Sequence, residues 1–174
     1  MQKIITHLKN NAPIYIIILT CIVIISIALF IKKEDKVEKI DTSMFQVVTF
    51  KEALKLFDDK EPKILVMSVD GCTATINYVD SLKISQAKYG YTTYYLDLNN
   101  AEKELEDFNK FIEKLDFEYN FRGKIDKFSS FIENTPSTII IKNKEMVYGY
   151  IGSMNEKTLH TITELYGVTN NETN

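Results

Sequence analysis

The chain has 174 residues, a net charge of −3 and 45% hydrophobic residues, which suits one domain with a short appendage. The acidic balance argues against a nucleic-acid binder, and Arg122, the single arginine, leaves no planar bidentate phosphate clamp. The two cysteines, Cys21 inside an apolar block and Cys72 well beyond it, offer neither a disulfide within the domain nor a cysteine-rich metal site.

Residues 14–31 (IYIIILTCIVIISIALFI) lie between Pro13 and the pair Lys32 and Lys33. Eighteen helical residues rise about 27 Å, close to the ~30 Å hydrocarbon thickness, so this block predicts a transmembrane anchor. Ser26 and Ala28 form a small-x-small cleavage pattern, but apolar residues continue past them, which favours an uncleaved anchor. Residues 1–13 are its flank. Lys3 and Lys9 on one side face Lys32, Lys33, Lys36 and Lys39 on the other, so the lysine count alone tips the domain slightly toward the cytoplasm. Residues 32–44 are charged and without periodicity. They read as a tether.

Thr49 and Glu52 have capping-box spacing, and Phe50, Ala53, Leu54 and Phe57 follow at helical intervals, with Pro62 expected to end the element. Residues 63–69 (KILVMSV) form a continuous apolar run of strand length, as expected for a strand buried on both faces. The break at Asp70, Gly71, Cys72 and Thr73 precedes a helix carrying Ile76, Val79 and Leu82. Residues 91–98 (YTTYYLDL) are β-branched and aromatic, a second central strand. Leu105, Phe108, Ile112 and Leu115 predict an amphipathic helix, and Ile125, Phe128 and Ile132 a further short one. Residues 137–141 and 146–151 predict strands joined by the polar turn of Lys142, Asn143, Lys144 and Glu145. Leu159, Ile162 and Leu165 mark a last helix closed by Gly167, with residues 168–174 a frayed tail. Alternating elements followed by a hairpin predict an α/β domain over residues 45–167, a mixed sheet with helices on both faces.

A strand, then Asp70-Gly71-Cys72-Thr73-Ala74-Thr75 opening a helix, then Asn134-Thr135-Pro136-Ser137-Thr138 before an apolar strand, resembles the thioredoxin-like superfamily. The ending KNKEMVYGYIGSMNEKTLHTI follows that family's last hairpin and helix. With the anchor, the chain is most similar to membrane-tethered thioredoxin-like proteins of bacteria, including bacteriocin-transport accessory proteins. The resemblance implies that Cys72 is the redox position, that Pro136 follows a cis peptide bond, and that the soluble domain faces outward from the cytoplasm. Independently of the family, a cysteine opening a helix meets unpaired N–H groups and the positive dipole end, which favours thiolate.

The departures are as informative. The family's second redox cysteine falls at Thr75, its buried acid at Met67 and its aromatic residue before the first cysteine at Gly71. With one thiol in the domain, a dithiol cycle is excluded, because exchange needs a resolving thiol. The Thr75 hydroxyl remains able to donate to a Cys72 thiolate. The segment between Asn99 and Thr135 is longer than in a minimal thioredoxin, so extra helix is expected near the site. The reading that results is a membrane-tethered accessory protein with a degenerate CxxT motif. It binds a protein or peptide partner, an exported substrate or a membrane complex, through Asp70, Gly71, Cys72, Thr73, Thr135, Pro136 and Ser137. The alternatives are a monothiol exchange enzyme using Cys72 with Thr75, and a purely structural subunit of a membrane complex.

Other residues carry less chemistry. His7 and His160 lack neighbouring ligands and read as structural or exposed. Glu102, Glu104, Glu106 and Asp107 read as a solvated helix face, and the sequon at residues 171–173 sits in the tail. No phosphate loop, Ser-His-Asp set or metal-ligand spacing is present in the sequence, and no cofactor is expected.

Overall fold

The computed structural model describes Thr20, Val23 and residues 37–169. Apart from Thr20 and Val23, the expected anchor at 14–31 lies outside the described residues, as do residues 1–13, the first part of the tether, Cys21, His7 and the sequon. Among the described residues no helix is long and apolar enough to cross a membrane.

A five-stranded sheet has the order β1-β3-β2-β6-β7. Its strands are β1 (Gln46–Val48), β2 (Lys63–Ser68), β3 (Thr93–Asp97), β6 (Ser137–Lys142) and β7 (Glu145–Ile151). β1, β3 and β2 run parallel, while β6 and β7 join antiparallel. The central place of β2 explains its unbroken apolar sequence, since both of its faces are covered. Leu65 and Met67 point into one core with Ile139 and Ile141, while Ile64 and Val66 point into the other with Ile140.

The helices divide accordingly. α1 (Phe50–Leu56) and α3 (Leu105–Lys114) cover the first face through Phe50, Ala53, Leu56 and Phe111. α2 (Thr73–Tyr89) and α4 (Glu156–Tyr166) cover the second through Tyr78, Val79, Leu82 and Leu159. The capping box at Thr49 forms, with the Glu52 amide donating to the Thr49 hydroxyl and the Glu52 carboxylate accepting from the Thr49 amide. Asn155 caps α4 through its side chain, which accepts from the Thr158 amide, and Gly167 closes it.

Four expectations are corrected, and one strand, β1, was not foreseen. α1 ends at Leu56, well before Pro62, because the Phe57 and Asp58 amides turn back to the Leu54 and Lys55 carbonyls. β1 is a three-residue edge strand with no periodicity to reveal it. Where a short helix was expected around Ile125, the chain makes a hairpin of β4 (Glu118–Phe121) and β5 (Lys124–Lys127), and Ile125 is 63% exposed on it. Only Phe128–Phe131 is helical there, as a single 3-10 turn, so the length between Asn99 and Thr135 holds a hairpin beside α3. The stripes of α3 and α4 lose Leu105 and Leu165, both exposed, while Phe111 and Thr163 are buried in them.

The fourth correction concerns the tether. Its last residues are docked on the domain, and the compact unit begins at Val37. Ile40 and Phe45 are buried in the second core, Lys83 pairs with Asp41, and the Gln86 side-chain amide donates to the Met44 carbonyl at 2.7 Å. Lys39, Asp41 and Ser43 are exposed, which gives this segment its tether-like composition.

Candidate functional site

β2 and β6 are antiparallel neighbours, with Met67 opposite Ser137, so the loop leaving β2 and the loop entering β6 share one edge of the sheet. Cys72 stands at the end of the first loop as the N-cap of α2, with extended backbone (φ −73°, ψ 103°). Its carbonyl accepts from the Thr75 and Ile76 amides at 2.9 and 3.0 Å, which starts the helix. The second loop contains the cis peptide bond between Thr135 and Pro136. Across the gap the Cys72 thiol donates to the Thr135 carbonyl at 3.5 Å. The half-buried sulfur therefore lies at the mouth of the strand-to-helix turn, beside the carbonyl of the cis bond that precedes Pro136.

Two opposing influences act on this thiol. Partial burial pushes it up, but hydrogen bonds from the Thr135 and Thr75 side chains and from the Thr75 and Ala74 amides outweigh that. The net direction is downward from the ordinary thiol value, toward thiolate. The bond to the Thr135 carbonyl is made only by the protonated thiol. The donors of α2's first turn serve the ionised one.

The other expected site residues separate into three roles. Thr73 is exposed on the first turn of α2, and Thr135 is half-buried at the loop, so both border the sulfur. Asp70 and Gly71 face the docked segment: the Asp70 carboxylate accepts from the Ile40 amide at 3.3 Å, and the Gly71 N–H donates to the Glu38 carbonyl at 2.8 Å. Gly71 has φ +77°, and a Cβ there would meet Val37 Cγ1 at 3.0 Å. Thr75, Pro136 and Ser137 are buried. Ser137 is thus corrected from a partner contact to a support, because it lies inside the sheet and its hydroxyl donates to the Asn134 carbonyl at 2.9 Å. Thr75 is buried in the first turn of α2, its hydroxyl 2.5 Å from that of Ser68. Met67 is buried among apolar side chains, where it supplies no acid.

Two neighbours were not anticipated. The Gly152 amide donates to the Pro136 carbonyl at 2.7 Å, and the Ser153 hydroxyl donates to the Ala74 carbonyl at 2.9 Å. The loop after β7 therefore ties the proline loop to the start of α2. The only sequence signal was the Gly-Ser pair directly after a strand. Beside Thr135 an open, mainly apolar cleft of about 280 Å³ is lined by Val69, Leu98, Ala101, Phe108, Ile132 and Glu133. A larger polar cleft of about 490 Å³ lies at the other end of β2 and β3, near Pro62 and Tyr91, and reaches none of these groups.

Among the described residues no cluster of His, Cys, Asp and Glu is arranged to hold a metal ion. His160 stacks on Tyr89 with ring centroids 3.7 Å apart. Glu104 accepts from the Phe50 amide at the start of α1, and Glu106 pairs with Lys110, so these acids serve their helices.

No family model matches the sequence, and no curated protein is similar to it. Solved structures are similar at the level of fold. Chloroplastic thioredoxin z matches with a TM-score of 0.50 at 9% identity, covering 71% of this chain and 94% of that one. Thioredoxin of Malassezia sympodialis matches at 0.48 with 12% identity, covering 70% and 90% respectively. Thioredoxin of Plasmodium falciparum matches at 0.47 with 15% identity, covering 70% and 98%. The fold is thioredoxin-like: a mixed sheet between two helical layers.

Proposed function

We propose that this chain is a membrane-tethered thioredoxin-like accessory protein whose Cys72 and Thr135–Pro136 face binds an extended protein or peptide segment. The observation that carries the reading is the 3.5 Å approach of the Cys72 sulfur to the Thr135 carbonyl beside an open apolar cleft. The Thr135 N–H has no hydrogen-bond partner among the described residues, so it is available to pair with the backbone of a bound strand. The adjoining cleft suits an apolar side chain of that strand. The anchor at residues 14–31 supports tethering in the cell membrane. The resemblance of the sequence landmarks to membrane-tethered thioredoxin-like proteins supports an extracytoplasmic domain that meets exported substrates or a membrane complex.

A second reading is favoured by the downward displacement of the Cys72 thiol. In it the Cys72 thiolate attacks a disulfide of the partner, forms a mixed disulfide and releases the other partner sulfur as thiolate. A small external thiol then reduces the mixed disulfide and frees Cys72.

Both readings put the partner at one face, which a photo-crosslinking residue tests in the full chain in host membranes. Placed at Thr73, beside the sulfur, it gives a specific adduct; placed at Lys144, on the distant β6–β7 turn, it does not. Adducts from Lys144 alone overturn the proposal.

A further inference from the structure

The loop that delivers Cys72 to the head of α2 has few bonds of its own. Within it the Cys72 amide reaches the Val69 carbonyl at a long 3.4 Å, and Gly71 takes the left-handed conformation at φ +77°. Its closer bonds come from the docked segment at residues 37–45. The Gly71 N–H donates to the Glu38 carbonyl at 2.8 Å, and the Asp70 carboxylate accepts from the Ile40 amide at 3.3 Å. Val37 fills the space beside Gly71, where a Cβ would meet its Cγ1 at 3.0 Å. The segment is itself secured to α2. Asp41 pairs with Lys83, the Met44 carbonyl accepts from the Gln86 side chain, and Ile40 and Phe45 are buried in the second core. One stretch of chain therefore grips both the Cys72 loop and the helix that Cys72 opens.

We propose that Glu38 and Ile40, through their backbone groups, are positioning residues of the Cys72 site. They fix Asp70 and Gly71, and thereby hold Cys72 as the N-cap of α2 with its sulfur beside the Thr135 carbonyl. The inference rests on the reading of Cys72 as the centre of the partner face. A glycine has access to more backbone conformations than any other residue, so a free Gly71 would let the loop turn. Cys72 must keep its extended backbone for its carbonyl to accept from the Thr75 and Ile76 amides. A turn at Gly71 breaks that arrangement and carries the sulfur away from the first-turn amides that favour thiolate. The compact unit begins at Val37, so its contacts with the loop part before those of Met44 and Phe45 when this end lifts. Local opening of that kind costs less than unfolding the domain. The two residues act through the loop, and neither touches the sulfur.

The test is the pH profile of Cys72 alkylation by iodoacetamide in the detergent-solubilised full chain. It is read on the Cys72 peptide by mass spectrometry, so Cys21 does not contribute. Asp70→Ala and Asp70→Asn both remove the carboxylate charge, but only asparagine keeps an oxygen that accepts from the Ile40 amide. Loss of charge moves the thiol alike in both, so the difference between them reports the hold on the loop. Asp70→Ala is expected to alkylate about threefold more slowly at pH 7 than Asp70→Asn, with faster exchange of the Gly71 amide. From the segment's side, Ile40→Ala slows alkylation by about the same factor and Ile40→Val restores it. The Asp70 pair decides alone should Ile40→Ala fold poorly. Coincident profiles for Asp70→Ala and Asp70→Asn overturn the proposal. So does a folded Ile40→Ala chain whose Gly71 amide exchanges faster while Cys72 reacts as in wild type. The reagent needs no partner, so this test and the crosslinking test fail separately.

Discussion

The Cys72 sulfur and the Thr135 carbonyl oxygen, 63 residues apart in the chain, lie 3.5 Å from each other at one edge of the sheet. Antiparallel pairing of β2 with β6 produces this meeting, because the strand that delivers Cys72 leaves the sheet where the strand behind Pro136 enters it. The sulfur is thereby supported by rigid elements on both sides and remains half-exposed between them.

Because the sulfur fills no core position, Cys72→Ser leaves the fold intact. The substitution costs about 0.5 kcal/mol or less, and the melting midpoint followed by circular dichroism stays within about 3 °C of wild type. A larger loss would mean that the sulfur packs as a core group.

Gly71→Ala is more damaging. A Cβ in the left-handed region at φ +77° and 3.0 Å from Val37 strains the loop and crowds the docked segment. Urea unfolding is expected to show a loss of about 1–2 kcal/mol, with faster amide exchange at Ile40 as the segment lifts.

Acid releases the same segment through Asp41. A hydrogen bond from Lys83, then those from Ser43, bring its carboxyl down to about 2 from 3.8. The folded value lies below the unfolded one, so the stabilisation is complete above the ordinary carboxylate range and is lost as pH falls from about 4 toward 2. Exchange protection at Ile40 and Phe45 should fall across that window in wild type. In Asp41→Asn it is already reduced at neutral pH and loses this step.

Gly149→Ala tests packing under the hairpin. A Cβ there would come within 2.3 Å of Met146 Cε and 2.7 Å of the Phe128 ring. Overpacking of this kind costs about 2 kcal/mol, and because the clash is shared with Phe128, the double variant with Phe128→Leu recovers part of the loss by urea titration.

Legibility in the sequence followed the range of the physics. β2 was readable because burial on both faces leaves an unbroken apolar run, and α1 because its cap is made by residues three apart. The β6–β7 hairpin was readable from two apolar strands around a polar turn, in which Asn143 and Lys144 adopt positive φ. β4 and β5 were missed although Tyr119 and Phe121 alternate and Arg122 and Gly123 turn with positive φ. The spacing of Ile125, Phe128 and Ile132 imitated a helix instead. At the site, the helix start at Cys72 and the cis bond between Thr135 and Pro136 were legible from local motif. The burial of Ser137, the contact of Asp70 with Ile40 and the docking of residues 37–44 were not legible, because the groups involved lie 30 or more residues apart or across the sheet.

Blocking the sulfur with a bulky maleimide addresses the partner face most directly. In the full chain, with Cys21→Ser leaving Cys72 as the sole target, the adduct is expected to abolish the partner crosslink formed from Thr73, whereas Cys72→Ser in place of the adduct preserves it. A crosslink of undiminished yield from the maleimide-blocked chain would contradict the account.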